Sequence, residues 1–321
     1  GGAEHVAEAA ELYGIDAMRL YYTHVGSPFV DIEWDAEIVT KYKNKVANIF
    51  KFIHQLYTID QEPLEQIDTW LESKIAEYIV SVTQAFNNFD LRVAANTIFY
   101  EIPQDINWYL KRGGGNKKTI NKCINAWLQF MTPITPHLTE ELWNMNHDSL
   151  ISTSVLPKKD SFTHSKAHIT GEKLVSSLVD DIQEILNVTK ITPKRIIIYT
   201  APKWKRKVLD TAIILYKENN SINMGQLMKS IMTNPLLKEQ AKQVSKYAGK
   251  LAGEIKKYSD TDIAYYQTDI DETAYLTDAK TFFESQFNCT IVIYTADDPS
   301  IDDPNQKSRF AEPRRPAIYV E

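Results

Sequence analysis

Cysteine, glycine and long hydrophobic runs are all scarce in this 321-residue sequence. The two cysteines, Cys123 and Cys289, lie far apart, so they indicate neither a disulfide framework nor a zinc-ligand spacing, and they suit a reducing cytoplasm. No apolar stretch is long enough to span a membrane, which predicts a protein without a membrane partner. The sequence also lacks a glycine-rich phosphate loop and a His-Glu-x-x-His motif. It therefore predicts no metal site, no catalytic residue and no cofactor site in this chain.

Charge is unevenly distributed along the chain, whose net charge is −6. From Lys190 to Lys257 there are fifteen Lys and Arg residues against four Asp and Glu residues. From Tyr258 to Asp303 there are eleven acidic residues against Lys280 alone. Because local patches attract a polyanion whatever the total charge, the basic segment indicates directional binding to nucleic acid.

Apolar periodicity predicts a multidomain α and α+β architecture, since a chain of this length exceeds one ordinary bundle. Residues 34–146 carry apolar stripes at helical spacing, which predict an antiparallel helical bundle. Residues 147–170 are rich in Ser, Thr, His, Lys and Asp and predict a linker. Residues 171–321 alternate helical patterns with short β-branched runs and predict a small helix-rich α+β domain.

The bundle is predicted to end in a sharp turn between two helices. An apolar face that includes Trp127 and Met131 is interrupted by Pro133 and Pro136, each of which removes a backbone donor. Thr135 is placed to cap the following helix. Near the start of the chain, Asp16 and Arg19 lie three residues apart, a spacing that by itself favours a local ion pair.

A glycine-rich loop carries four cations that are candidates for RNA-backbone contact. Glycines allow a backbone to approach a phosphate closely and cations neutralise it, although a flexible solvated loop explains the pattern equally well. The candidates are Lys111, Arg112, Lys117 and Lys118.

In the second domain the basic residues fall into two groups. One long helix is predicted from Pro235 to about Tyr258, with lysines every fourth residue along one ridge. Like charges at this spacing repel, so the ridge favours a polyanion over local stability. The helix before it begins with a second cluster around Trp204. The candidates are Lys238, Lys242, Lys246 and Lys250 on the ridge, and Lys203, Lys205, Arg206 and Lys207 in the cluster.

Two strings, YGIDAMRLYYTHVGSPFVDIEW (13–34) and NAWLQFMTPITPHLTEELW (125–143), resemble the class I aminoacyl-tRNA synthetases of the leucine, isoleucine and valine group, and WYLKRGG (108–114) resembles a string of the leucine enzymes. Two further strings, NVTKITPKRIIIYTAPKWKRKV (187–208) and DDPSIDDPNQKSRFAEPRRPAIYVE (297–321), resemble the C-terminal domain of the archaeal-type leucyl-tRNA synthetases, the type also found in the eukaryotic cytosol. Together the resemblance covers essentially the whole chain in family order. The resemblance implies that residues 1–33 connect the catalytic domain to an anticodon-binding-like bundle and that the chain is a C-terminal fragment.

The same resemblance implies leucine tRNA as partner, with the second domain reaching the long variable arm. Arg314 and Arg315 are then expected to hold phosphates, while Val320 and Glu321 read base edges at the tip of that arm. It also implies a monomeric cytoplasmic parent, a leucine–tRNA ligase that uses ATP with magnesium. The HIGH and KMSKS signatures are absent, so the fragment alone is expected to be inactive and to need the upstream catalytic domain of the same chain.

Two alternatives stay open at the level of sequence. A charged helical bundle with an α/β domain also suits a protein-interaction scaffold. The equivalent part of an isoleucyl- or valyl-tRNA synthetase is the other alternative, which Trp34 and the C-terminal string disfavour.

Overall fold

The computed structural model of the chain describes residues 5–26, 31–62, 64–238 and 240–321. Residues 1–4 and 27–30 of the predicted connector lie outside these ranges. The chain forms two compact units, Gly1–His168 and Ile169–Glu321.

The first unit is a helical bundle. Its core is built around aromatic and branched side chains that are fully buried, among them Trp127, Tyr109 and Phe99. A π-helical turn, Thr97–Glu101, leads directly into the helix that has Pro103 in its first turn, where a missing N–H is tolerated. The helices are α1 (Val6–Tyr13), α2 (Ile15–Val25), α3 (Ala36–Leu56), α4 (Gln66–Asn87), α5 (Leu91–Asn96), α6 (Ile102–Lys111), α7 (Lys117–Met131) and α8 (Pro136–Trp143).

The turn between α7 and α8 lies where the two prolines predict it. Pro136 occupies the first turn of α8 and Thr135 its N-cap position. The Thr135 hydroxyl does not cap the helix, however, and instead donates to the Met131 carbonyl at 3.4 Å. The N–H groups at the start of α8 therefore take their acceptor from elsewhere.

That acceptor is Asp16, on α2. Its carboxylate accepts hydrogen bonds from the Leu138 N–H at 2.6 Å and the His137 N–H at 3.4 Å, and it also lies 2.9 Å from the His137 Nδ1. Asp16 is buried. A carboxylate at a helix N-terminus satisfies free donors and complements the helix dipole.

Arg19, one turn further along α2, binds backbone carbonyls of the same turn. Its guanidinium donates to the carbonyls of Ile134 at 3.0 Å and Pro133 at 2.7 Å. In an unbroken helix these two carbonyls would accept from the N–H groups that Asp16 now binds. Asp16 and Arg19 therefore bind the turn and do not form the local ion pair that their spacing favours.

The segment predicted as a linker belongs to the first unit as far as His168 and packs against its helices up to Ser165. Ile151 and Phe162 are buried, and the Ser165 N–H donates to the Ser73 hydroxyl at 2.9 Å. Its two short 3-10 turns are Ile151–Thr153 and Lys159–Ser161. The helix at the predicted start of the α+β domain begins at Lys166, because helical backbone continues through the polar residues ahead of its apolar stripe.

The second unit surrounds a three-stranded sheet formed by β1 (Arg195–Thr200), β2 (Thr290–Thr295) and β3 (Ala317–Val320), in the order β2-β1-β3. The central strand pairs in parallel with β2 and antiparallel with β3, which is an edge strand. Its buried run from Ile196 to Thr200 matches the β-branched pattern that predicts it. The elements are α9 (Lys166–Thr189), β1 (Arg195–Thr200), α10 (Lys203–Asn219), α11 (Met224–Ile231), α12 (Pro235–Lys238), α13 (Ala241–Glu254), α14 (Asp260–Gln267), α15 (Glu272–Asp278), α16 (Lys280–Phe287), β2 (Thr290–Thr295) and β3 (Ala317–Val320).

The single long helix predicted from Pro235 is wrong. The chain forms α12 and then α13, and Gln240 before α13 has φ −109° and ψ 21°, outside the helical region. The break lets α13 place Val244, Ala248 and Leu251 in the core formed with α10 and α11. Lys238 is therefore on a different helix from the other three ridge lysines.

The predicted fold class, a helical bundle followed by a small helix-rich α+β domain, is confirmed. Within the described ranges, no helix has the length and apolar character needed to cross a membrane.

Candidate nucleic-acid interface

The glycine-rich loop after α6 is a packed turn. The Tyr109 hydroxyl donates to Asp68 at 2.6 Å and accepts from the Asn116 N–H at 3.0 Å. A Cβ atom on Gly114 would overlap the Tyr109 ring, and one on Gly115 would overlap Gln61. Two of the three glycines are thus explained by close internal packing.

The cations of this loop still face solvent. Lys111, Lys117 and Lys118 are exposed and Arg112 is half-buried. Lys117 lies 2.9 Å from Asp60 in an exposed ion pair, which water and salt screen strongly. The loop therefore presents a small basic patch on the first unit.

At the start of α10, two of the four predicted cations are engaged inside the protein. Lys205 is buried, and its ammonium donates to the carbonyls of Arg309 at 2.8 Å and Ala311 at 2.6 Å. Arg206 is half-buried and pairs with Asp210 at 3.0 Å. These contacts correct the expectation that both side chains reach a phosphate on the surface.

The other two cations of the cluster lie on either side of these in sequence and point outward. Lys203 and Lys207 are exposed. Among the described residues, no acidic side chain lies within ion-pair distance of either ammonium. They remain candidates for phosphate contact.

On α13, the ridge lysines differ in their surroundings. Lys250 lies 2.5 Å from Glu312 and 3.6 Å from Glu254, so its charge is largely matched. Lys242 and Lys246 are exposed, and within the described part of the chain neither has an acidic partner. Lys238, on α12, is exposed as well. The basic character of this surface therefore rests on the lysines ahead of Lys250.

Near the C-terminal strand, the two arginines have opposite environments. Arg314 is 4% exposed, and its guanidinium pairs with Glu272 at 2.9 Å. Burial of this side chain corrects the expectation that it holds a phosphate. Arg315 is exposed and remains a candidate.

The last two residues close the edge of the sheet. Val320 pairs with Ile196, and the Glu321 carbonyl accepts from the N–H groups of Lys194 and Arg195. The Glu321 carboxylate lies against the Arg195 guanidinium. The tail is therefore held in place by main-chain hydrogen bonds while its carboxylate stays exposed.

Comparison with known proteins shows what this chain is similar to. Residues 68–198 match the anticodon-binding domain of tRNA ligases. The leucine–tRNA ligase of Methanosarcina acetivorans is 33% identical over 98% of this chain and 33% of its own length. Those of Methanosarcina barkeri and Methanococcus aeolicus are 32% and 30% identical, again over 98% of this chain. Over nearly all of its length, the chain is similar to archaeal leucine–tRNA ligases.

The chain spans about a third of the length of these synthetases. One solved structure is described as the ternary complex of Agrobacterium radiobacter K84 agnB2 LeuRS-tRNA-LeuAMS, and its chain is 17% identical to this one. The superposition covers 49% of this chain and 21% of that chain, with a TM-score of 0.43. At that score the superposition assigns no residue.

Sequence reasoning missed Arg309 and Phe310, which lie on the surface of the second unit. Both are exposed, and they end a 3-10 segment, Pro304–Phe310, without apolar periodicity. The Arg309 guanidinium lies 4.7 Å from the centre of the Phe310 ring. An exposed aromatic ring beside a cation was the available signal.

Proposed function

We propose that this chain is the tRNA-binding part of an archaeal-type leucyl-tRNA synthetase and contacts the body and long variable arm of leucine tRNA. The observation that carries this proposal is the set of exposed lysines on α10 and α13 in a chain whose net charge is −6. Unpaired cations on one segment of an acidic protein give a polyanion a preferred docking surface. In this proposal the polyanion is the leucine tRNA on which leucyl-tRNA synthetases act.

In this proposal, ATP binding and the attachment of leucine are carried out by the rest of the parent protein. The parent attaches leucine to tRNA in the cytoplasm as a monomer, using ATP with magnesium in an upstream catalytic domain of the same chain. This sequence contains neither ATP signature, so no residue here is assigned to ATP or magnesium.

The first test separates binding from catalysis. The purified chain is expected to bind a leucine tRNA transcript, to bind short-armed tRNA more weakly, and to catalyse no leucine-dependent ATP–pyrophosphate exchange. Filter binding at several salt concentrations and an exchange assay measure the two properties. Salt-insensitive binding, or no preference for leucine tRNA, would instead support the interaction scaffold.

The α13 lysines are expected to act through charge. Replacing both Lys242 and Lys246 with alanine should lower the slope of log affinity against log salt by about 0.7 to 0.9 for each phosphate that is no longer neutralised. The fall in affinity should be similar for different tRNA sequences, because phosphates carry no sequence information. Lys280→Ala is the matched control, since this lysine lies in the acidic segment 3.8 Å from Glu284. An unchanged slope in the double variant would mean that the ridge is only solvated.

We also propose that Val320 and Glu321 read base edges at the tip of the variable arm. The edge strand fixes the tail, and the exposed Glu321 carboxylate is a hydrogen-bond acceptor suited to a base amino group. Arg195 neutralises part of its charge, which lowers the repulsion from nearby phosphates.

For this tail, Glu321→Ala is a sharper change than truncation because it preserves the main-chain hydrogen bonds to Arg195. Affinity for long-armed tRNA should fall about tenfold, since one good base contact is worth about 1 to 3 kcal/mol. Affinity for short-armed tRNA should not change. Asp302→Ala is the control, because Asp302 is the other carboxylate on Arg195. Equal losses on both tRNAs would make the tail merely structural.

A further inference from the structure

A cavity of about 820 Å³ opens on the second unit between the first turn of α10, the middle of α13 and the 3-10 segment before β3. Residues that line it include Trp204, Lys205, Tyr247, Arg309, Phe310 and Glu312. It adjoins the C-terminal end of β1 and the start of β3. Since β3 runs antiparallel to β1, Glu321 lies at the opposite end of the sheet. The cavity is therefore separate from the tail proposed to read the variable arm.

Two aromatic side chains in its walls, Phe310 and Trp204, are not fully buried by the fold. The Phe310 side chain is 59% exposed, although burying a ring of this size would be favourable. Trp204 is half-buried and meets the buried Tyr247 edge-on, with ring centres 5.7 Å apart. Exposed rings flanked by cations are the platforms on which single-stranded nucleic acids stack their bases.

Lys205 is a buried cation in the wall of this cavity. It is 7% exposed, and no carboxylate of the described residues lies within ion-pair distance of its ammonium. Two carbonyls accept from this ammonium, which has three protons. Burial lowers the pKa of Lys205. The ammonium also lies 5.7 Å from the centre of the Trp204 ring and 5.6 Å from that of Tyr247, so it places positive charge directly behind the aromatic wall.

Charge at the cavity favours an anion. Lys246, Lys250 and Arg309 line it together with Lys205, against Glu312 as the acidic residue among the described lining. The Glu312 carboxylate already pairs with Lys250 at 2.5 Å. A purely apolar peptide side chain would leave Lys246 and Arg309 unmatched, whereas a nucleotide offers both a ring and a phosphate.

We propose that this cavity holds one unpaired nucleotide of the bound RNA, with its base stacked against Phe310 and Trp204. Lys205 donates to an acceptor on the base, and Lys246 and Arg309 meet the flanking phosphates. The inference rests on the proposed function. A paired base cannot enter, because its faces are covered within the helical stack.

The experiment compares Phe310→Ala with Phe310→Trp and with Ile214→Ala, a control that removes an apolar side chain of similar exposure, 52%, from the same unit. The probes are a leucine tRNA transcript, a short single-stranded oligouridine and an RNA duplex of the same length. Phe310→Ala is expected to weaken tRNA and oligouridine binding at least fivefold and to leave duplex binding unchanged. The salt slope should stay constant because the change removes no cation that neutralises a phosphate. Phe310→Trp should retain binding, and Ile214→Ala should resemble the unaltered protein.

The outcomes distinguish this proposal from the one on which it rests. If the unaltered chain does not bind leucine tRNA, both proposals fail. If it binds and Phe310→Ala binds equally well, only the nucleotide cavity fails. Equal weakening of duplex binding, or a fall in melting temperature that accounts for the weaker binding, would assign Phe310 to packing and overturn the cavity proposal.

Discussion

Replacing Arg314 with alanine is expected to destabilise the second unit by about 3 to 5 kcal/mol, because the change leaves a buried carboxylate without its partner. Glu272 is largely buried and accepts from both the Arg314 guanidinium at 2.9 Å and the Arg314 N–H at 3.1 Å. The same guanidinium also donates to the Thr268 carbonyl. Arg314 has φ +64°, an uncommon conformation for a residue with a side chain, and these contacts stabilise it. Urea unfolding followed by circular dichroism measures the effect.

Arg315→Ala is the matched control, since it removes the same side chain from the next residue, which is exposed. Its free energy of unfolding should change by less than about 0.5 kcal/mol. Replacing Glu272 and Arg314 together with methionine should cost less than Arg314→Ala alone, because no unpaired charge is left behind. If Arg314→Ala folds with unaltered stability and a smaller salt slope for tRNA, the residue would hold a phosphate after all.

The contrast between Arg314 and Arg315 marks a limit of sequence reasoning in this domain. Two adjacent arginines look equivalent in sequence, and only the fold decides that one of them meets Glu272, 42 residues away. Lys205 is a similar case, since it belongs to a run of four cations but its ammonium binds carbonyls more than a hundred residues away. Local charge counts predict a basic segment well, yet they do not identify which of its side chains face solvent.

Secondary structure was predictable where apolar periodicity is strong. The buried run of β1 and the apolar stripe of α7 both appear in the structure at the positions that their patterns predict. The break before α13 was not predictable, because Gln240 carries no turn signal and the core formed with α10 and α11 sets the direction of that helix. Tertiary packing overrode local propensity there.

The turn between α7 and α8 is predictable from sequence in its position but not in its contacts. Pro133 and Pro136 predict the break, but not how the four backbone groups that it separates are satisfied. Those groups find partners on α2, more than a hundred residues earlier in the chain. The arrangement makes α2 part of the turn, so the turn is expected to depend on a side chain that the sequence pattern assigns to local pairing.

Asp16→Ala is accordingly expected to destabilise the first unit by about 2 to 3 kcal/mol, the combined effect of losing a helix cap and leaving buried donors without an acceptor. Asp16→Asn, which keeps an acceptor oxygen, should be destabilised less. Asp35→Ala is the control, because Asp35 caps its own helix, α3, from an exposed position and its removal should cost about 1 kcal/mol. Thermal and urea unfolding of the three variants compares the effects. Equal destabilisation by Asp16→Ala and Asp35→Ala would mean that Asp16 stabilises α8 no more than an exposed N-cap stabilises its own helix, and it would overturn the dependence of the turn on this carboxylate.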